Sequence, residues 1–174
     1  IFCERAARAG ATHAKIQIFY GSHFPAPYQD EKRRLEFPRD RVRGFAINAH
    51  YYGLKAGASV FDEEAVELAA RELDFLKLAA REQYDGTLFR IVKAVKKLSY
   101  RSVSYRDRWL TETMFTNLWA IQQYPAPTWL SLWQLAGWAA YARRHLSKWG
   151  WSSHSRGALD CILAVRLGAN VIEK

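Results

Sequence analysis

At 174 residues, with 49% apolar and 25% charged side chains, the chain can bury a core of its own, which excludes an intrinsically disordered segment. A net charge of +9 and an aromatic content of 14%, with seven tryptophans, are features of surfaces that meet protein, nucleic acid or membrane. Cys3 and Cys161 are the only cysteines and form no CxxC pair, which argues against a disulfide scaffold and a cysteine zinc site.

Residues 3–15, CERAARAGATHAK, are rich in Arg and Ala and suit the neighbourhood of a mitochondrial presequence. Residues 16–47 read as an extended, irregular lead-in. IQIFY suggests a short strand, Gly21, Pro25, Pro27 and Pro38 punctuate the region, and DEKRRLEF (30–37) has room for one or two helical turns. Phe19, Tyr20, Phe24, Tyr28 and Phe37 predict an arm stabilised by neighbours. Residues 1–50 form this N-terminal arm.

The next helix has the clearest signals. Asp62 is an N-cap, and Glu63 and Glu64 complement the helix dipole in the first turn. Val66, Ala69, Leu73, Leu76 and Ala80 recur at helical spacing and predict a helix reaching about residue 83. Residues 62–84 carry seven acidic and three basic groups, an acidic helix in a basic chain. That pattern suits several charged neighbours better than one polyanion.

Asp85-Gly86 then signals a turn into a second helix. Tyr84, Leu88, Ile91, Val95 and Leu98 make its apolar stripe, and Arg90, Lys93, Lys97 and Arg101 a basic face nearly opposite. Phe89 fits neither stripe, which suggests a helix packed against a partner. Residues 99–108, SYRSVSYRDR, lose the period and predict a loop. A third helix follows, with Leu110, Met114, Leu118 and Ile121 as its stripe, Phe115 and Trp119 flanking it, and Pro125 and Pro127 ending it. Residues 51–124 are thus a helical core.

Residues 125–174 predict a helical extension. Thr128 caps a helix whose apolar portion, 129–142, is 14 residues long, against about 20 for a membrane span. Residues 158–172 form a second apolar helix interrupted by Asp160 and Arg166. Trp129, Trp133 and Trp138, with Trp149 and Trp151 at the hairpin, suit a protein interface first and a lipid headgroup zone second. The expected fold is all-α: a small irregular helical domain with an extended N-terminal lead-in and a C-terminal Trp-rich helical hairpin.

Catalytic signatures are missing. His13, His23, His50, His145 and His154 are scattered, with no HExxH, and Ser153-His154 lacks the context of a nucleophile elbow. No GxGxxG or P-loop is present. The expectation is a non-enzyme with no catalytic residue, metal or cofactor.

Tyr84-Asp85, Phe89-Arg90-Ile91, Ala94 and Trp109 together resemble the signature of the ubiquinol–cytochrome c reductase binding protein family, the small matrix-side subunit of mitochondrial complex III. The run Tyr52-Gly53-Leu54 resembles a second family feature. Residues 125–174 lie beyond the resemblance, and no Leu-Pro precedes Trp109. The resemblance implies a non-catalytic structural and assembly subunit on the matrix side of the mitochondrial inner membrane. It would dock on cytochrome b and the core subunits of complex III and support respiratory electron transport. Phe89, Arg90, Lys93, Lys97, Trp109, Phe115, Trp119, Trp129 and Trp133 are the candidate partner-binding residues. Residues 128–172 are candidates for lipid contact, and no nucleic acid is expected. The alternatives are a mitochondrial ribosomal or other RNA-facing protein, or an accessory subunit of another inner-membrane complex.

Overall fold

Short apolar runs of this chain pair as parallel strands. The structure, a computed structural model, describes residues 1–104 and 115–174, apart from the side chain of Gln83. The chain divides into two compact units, Ile1–Ser99 and Tyr100–Lys174.

In the first unit, β1 (His13–Ile18) pairs in parallel with β2 (Lys55–Val60), and β2 with β3 (Phe75–Leu78). Parallel neighbours need a crossover long enough for a helix. Here α3 (Val42–Tyr51) lies between β1 and β2, and α4 (Glu63–Glu72) between β2 and β3. Two short helices, α1 (Phe2–Arg8) and α2 (Gln29–Arg33), precede β1 and α3 respectively. Ile18, Val60 and Leu78 stand in one row of the register and are fully buried. Val42, Ala46 and Ala49 of α3 and Ala65, Val66 and Ala69 of α4 are buried too, so small residues let these helices lie close to the strands.

Asp62 caps α4 as expected, its Oδ1 accepting from the Ala65 N–H at 2.6 Å. The helix ends at Glu72 instead of near residue 83, because Phe75–Leu78 is strand β3. Lys97 closes this end: its Nζ donates to the carbonyls of Ala70, at 2.5 Å, and Leu73. A cation here also faces the negative end of the helix dipole.

The predicted turn at Asp85-Gly86 is the N-cap of α5 (Gly86–Ala94), where Asp85 Oδ1 accepts from Thr87 and Leu88 N–H at 2.9 and 3.0 Å. Leu88 and Val92 are its buried residues, whereas Tyr84 and Leu98, the ends of the predicted stripe, are 60% and 45% exposed. Leu98 opens β4 (Leu98–Val103), which crosses the boundary between the units where a loop was predicted.

In the second unit, β5 (Phe115–Ala120) pairs in parallel with β6 (Trp149–Ser152), and β6 with β7 (Val171–Glu173). The connections are α6 (Thr128–His145) and α7 (Leu159–Arg166). Trp119 on β5 stacks on Trp138 of α6 with centroids 4.8 Å apart, and its Nε1 donates to Gln134. Trp149 and Trp151 are buried in the same core.

The all-α expectation is corrected by these ladders: the chain is α/β. The third predicted helix is β5 over its described part, Leu110 and Met114 lying outside the described residues, and the end of the predicted 158–172 helix is β7. Buried parallel strands read as continuous apolar runs, which periodicity alone does not separate from buried helix. The Trp-rich hairpin is likewise a helix between two strands. Among the described residues, no helix is long and apolar enough to cross a membrane.

Two measurements test these anchors. Lys97→Met is expected to destabilise the fold by about 1–3 kcal/mol in chemical denaturation, because it strips a charged donor from two helix-end carbonyls; unchanged stability would remove the cap from the account. Burial raises the Asp74 carboxyl, but hydrogen bonds from His50 and the Ala56 N–H, 2.7 Å each, and the charges of His50 and Lys97 outweigh it and leave it below 3.8. A lowered carboxyl stabilises the fold above its unfolded value and loses that contribution as pH falls through its folded value. Stability measured down a pH series should therefore fall more steeply below pH 3.8 in the wild type than in Asp74→Asn.

Candidate functional site

Alternation along the strands of the first unit gives each row a partner row of opposite character. One residue before the buried row Ile18–Val60–Leu78 lies the row Gln17–Ser59–Lys77, polar on all three strands. Lys15, two residues back on the same face of β1, donates from Nζ to Ser59 Oγ at 3.0 Å. Ser59 and Lys77 are buried, and Gln17 is exposed. These groups sit at the carboxyl ends of parallel strands, where α/β barrels build their active sites.

The segments that leave those strand ends are tied together by charge and ring contacts. Arg81, after β3, lies over the rings of Phe24 and Phe61, at 4.7 and 6.0 Å from their centroids, and so joins the segments after β1, β2 and β3. Its Nε and Nη2 reach Glu82 Oε1 at 2.7 and 2.6 Å. Glu82 is 7% exposed, and its Oε2 is buried with no hydrogen-bond partner among the described residues. A buried acceptor left this way costs stability and is ready for a donor brought by a ligand. Nearby, Arg39 pairs with Asp62 at 2.8 Å and lies over the Tyr20 ring at 4.1 Å.

In the second unit the chain leaving β6 runs Ser152-Ser153-His154-Ser155. His154 Nδ1 is against the Ile121 carbonyl, so this nitrogen carries the proton and donates it. Nε2 then holds the lone pair, with Tyr124 Oη at 2.5 Å and Ser152 Oγ at 3.4 Å. The Tyr124 ring stacks on the imidazole at 3.8 Å. Tyr124 is 76% exposed, and its phenol, protonated at neutral pH, is a proton donor there. The pair is an imidazole whose Nδ1 donates to a backbone carbonyl and whose Nε2 is covered by a phenol. Among the described residues, no group of three His, Cys, Asp or Glu is placed to hold a metal ion.

The candidate partner-binding residues are dispersed. Phe89 is half-buried on α5, and Arg90 and Lys93 are exposed there, with Arg90 Nη2 donating to Thr87 at 3.3 Å. Lys97 serves the end of α4. Phe115 and Trp119 are buried, at 4% and 6% exposure, and Trp129 and Trp133 are exposed on α6, at 71% and 73%. Trp109 lies outside the described residues. The polar strand row and His154 were missed. Their signal was a polar residue at alternate positions of an apolar run, in AKIQIF, FLKL and WGWSSHS, a two-residue period that a helical reading passes over.

A model of the NeuB family matches residues 2–174. Among solved structures, the sialic acid (N-acetylneuraminic acid) synthetase of Leptospira borgpetersenii serovar Hardjo-bovis, in complex with citrate, is 19% identical at a TM-score of 0.84 over 99% of this chain. A spore coat polysaccharide biosynthesis protein of Bacillus subtilis is 22% identical at 0.78, again over 99% of this chain. The DAHP synthase of Thermotoga maritima is 13% identical at 0.68 over the same share. The chain spans 65%, 53% and 53% of those three proteins. No curated protein sequence matches.

These findings overturn the resemblance to the complex III subunit and what it implied. The interval from Tyr84 to Trp109 was taken as helix and loop, but it runs from α5 into strand β4, so a shared spacing there does not carry a shared all-α fold. With it fall the docking on cytochrome b and the core subunits, the role in respiratory electron transport and the place on the mitochondrial inner membrane. The ribosomal or RNA-facing alternative and the accessory subunit of another inner-membrane complex fall with the same family match, and in the 128–172 segment offered for lipid contact Leu135, Trp138, Ala139 and Ala142 of α6 are in a protein core. The non-enzyme expectation is overturned by the family match over residues 2–174. Matched along nearly its whole length, the chain belongs to the NeuB family.

Proposed function

We propose that this chain carries part of the active site of a carbohydrate-biosynthetic synthase that handles a sugar acid. The family match over residues 2–174 carries this reading. The named neighbours include a sialic acid synthetase and a spore coat polysaccharide biosynthesis protein, and the product in the first name is a carboxylate rich in hydroxyls.

The chemistry on the strand face suits such a molecule. Lys15 donates to the Ser59 hydroxyl and Lys77 is the register partner of Ser59, so the face carries ammonium groups of the kind that complement a carboxylate or phosphate. Glu82 Oε2, buried and ready to accept, complements a sugar hydroxyl or amide N–H. His154, held with its lone pair on Nε2, is suited to take a proton from a hydroxyl or a water. In the first unit Lys15 and Lys77 thus bind and orient and Glu82 selects for donors; the imidazole of His154 is a separate feature of the second unit.

Calorimetric titration of the chain with N-acetylneuraminic acid tests the reading. Lys77→Met and Glu82→Gln are each expected to weaken binding about tenfold or more, which corresponds to roughly 1.4 kcal/mol. Lys93→Met removes the same charge from the exposed face of α5 and should leave binding unchanged. Absence of saturable binding, or an equal loss in the Lys93 variant, would count against a built sugar-acid site.

A further inference from the structure

Asp160, on α7, is fully buried, and a buried carboxylate persists only where its oxygens are paired. Its Oδ2 accepts from Trp151 Nε1 at 2.9 Å, and its Oδ1 from Ser153 Oγ at 3.1 Å and the Cys161 N–H at 3.0 Å. Lys174, just past β7, donates from Nζ to Ser153 Oγ at 3.0 Å and to the Ser155 carbonyl at 2.5 Å. Burial raises the Asp160 carboxyl, but the hydrogen bonds from Trp151, Ser153 and Ser155 and the Lys174 charge outweigh it and hold it below the ordinary range. The group is an acceptor only at neutral pH.

What this network grips is the segment that carries His154. Ser153 and Ser155 alternate with His154, and their hydroxyls lie 3.5 Å apart on the side of Asp160. The imidazole is left on the opposite side, toward the Ile121 carbonyl and Tyr124. The backbone is pinned at both ends: the Ser153 N–H donates to Glu173 O at 2.8 Å, and the Ala126 N–H to His154 O at 2.9 Å. Pinning fixes where residue 154 sits, and the side-chain grip on its two neighbours fixes how it is turned.

We propose that Asp160 is the positioning residue of His154, turning the imidazole through Ser153 and Ser155 so that Nδ1–H meets Ile121 and Nε2 faces Tyr124 Oη. This rests on the reading of His154 as a working residue of the proposed synthase. Its test reads the imidazole directly, with no ligand present, so it stands or falls separately from sugar-acid binding.

The experiment is a long-range proton–nitrogen correlation spectrum of the histidine-labelled chain at neutral pH, with His154 assigned by His154→Gln. In the wild type His154 is expected as a single Nδ1–H tautomer. In Asp160→Ala and Ser153→Ala its two nitrogens should move toward the shared shifts of exchanging tautomers, while Asp160→Asn, which keeps an acceptor for Ser153, should retain the wild-type pattern. Ser153→Ala decides the matter alone if Asp160→Ala does not fold. A His154 that keeps its Nδ1–H tautomer in the folded alanine variants overturns the proposal, even if their melting temperatures fall, because Asp160 would then serve the fold only.

Discussion

The register of the parallel strands is the constraint on which the first unit depends. Side chains alternate with a period of two, so Ile18, Val60 and Leu78 are buried only in a pairing that puts Gln17, Ser59 and Lys77 on the other face. A slip of one residue on any strand would drive a charged or polar group under the helices. Gly57 belongs to this arrangement: a Cβ there would stand 2.2 Å from the Phe75 ring, so the space beside Lys15 belongs to the ring of the neighbouring strand. Core packing and site chemistry are thus two faces of one pairing, and neither is adjustable without the other.

Charge burial at Lys97 and Asp160 follows one rule, from which Glu82 departs. Lys97 enters the protein to meet two helix-end carbonyls, and Asp160 is enclosed among Trp151, Ser153 and the Cys161 N–H. Each exchanges hydration for fixed dipoles, the condition under which a buried charge is tolerated. Glu82 meets the condition with one oxygen, gripped by Arg81, and leaves the other without a partner among the described residues. The aromatic residues divide in a comparable way. Trp119, Trp138, Trp149 and Trp151 fill the core of the second unit, while Phe24 and Phe61 hold Arg81 over their faces.

The local signals in the sequence were those set by contacts within a few residues. The cap at Asp62 is where its side chain predicted it, because an N-cap needs only its own first turn, and the turn read at Asp85-Gly86 is where α5 begins, with Asp85 as its cap. The strand read in IQIFY is present at its start, as the end of His13–Ile18, and a helix does begin at Thr128, although Pro127 and not Thr128 occupies the cap position. The boundaries failed where a helical stripe ran on into a strand, as at Leu73–Leu76 and at Val95–Leu98, since both structures bury leucines and only a neighbouring strand decides between them. The seven-residue resemblance at Tyr84–Trp109 failed in the same place, having been read across a helix that ends at Ala94.

The sequence by itself determined the helix starts after Asp62 and at Asp85-Gly86, the mixture of charge and aromatic residues, and a supply of polar residues inside apolar runs, but not α1 and α3 within the segment read as an irregular arm. It did not determine that Lys15, Ser59 and Lys77 share a face, since they lie 44 and 18 residues apart and are joined only by strand pairing. Nor did it distinguish His154 from the other histidines. That distinction arises from Ile121, 33 residues earlier in the chain, whose carbonyl takes the proton of one ring nitrogen and leaves the lone pair on the other. Caps are short-range and written in the chain, whereas a shared face and a chosen tautomer are long-range and exist only once the strands have paired.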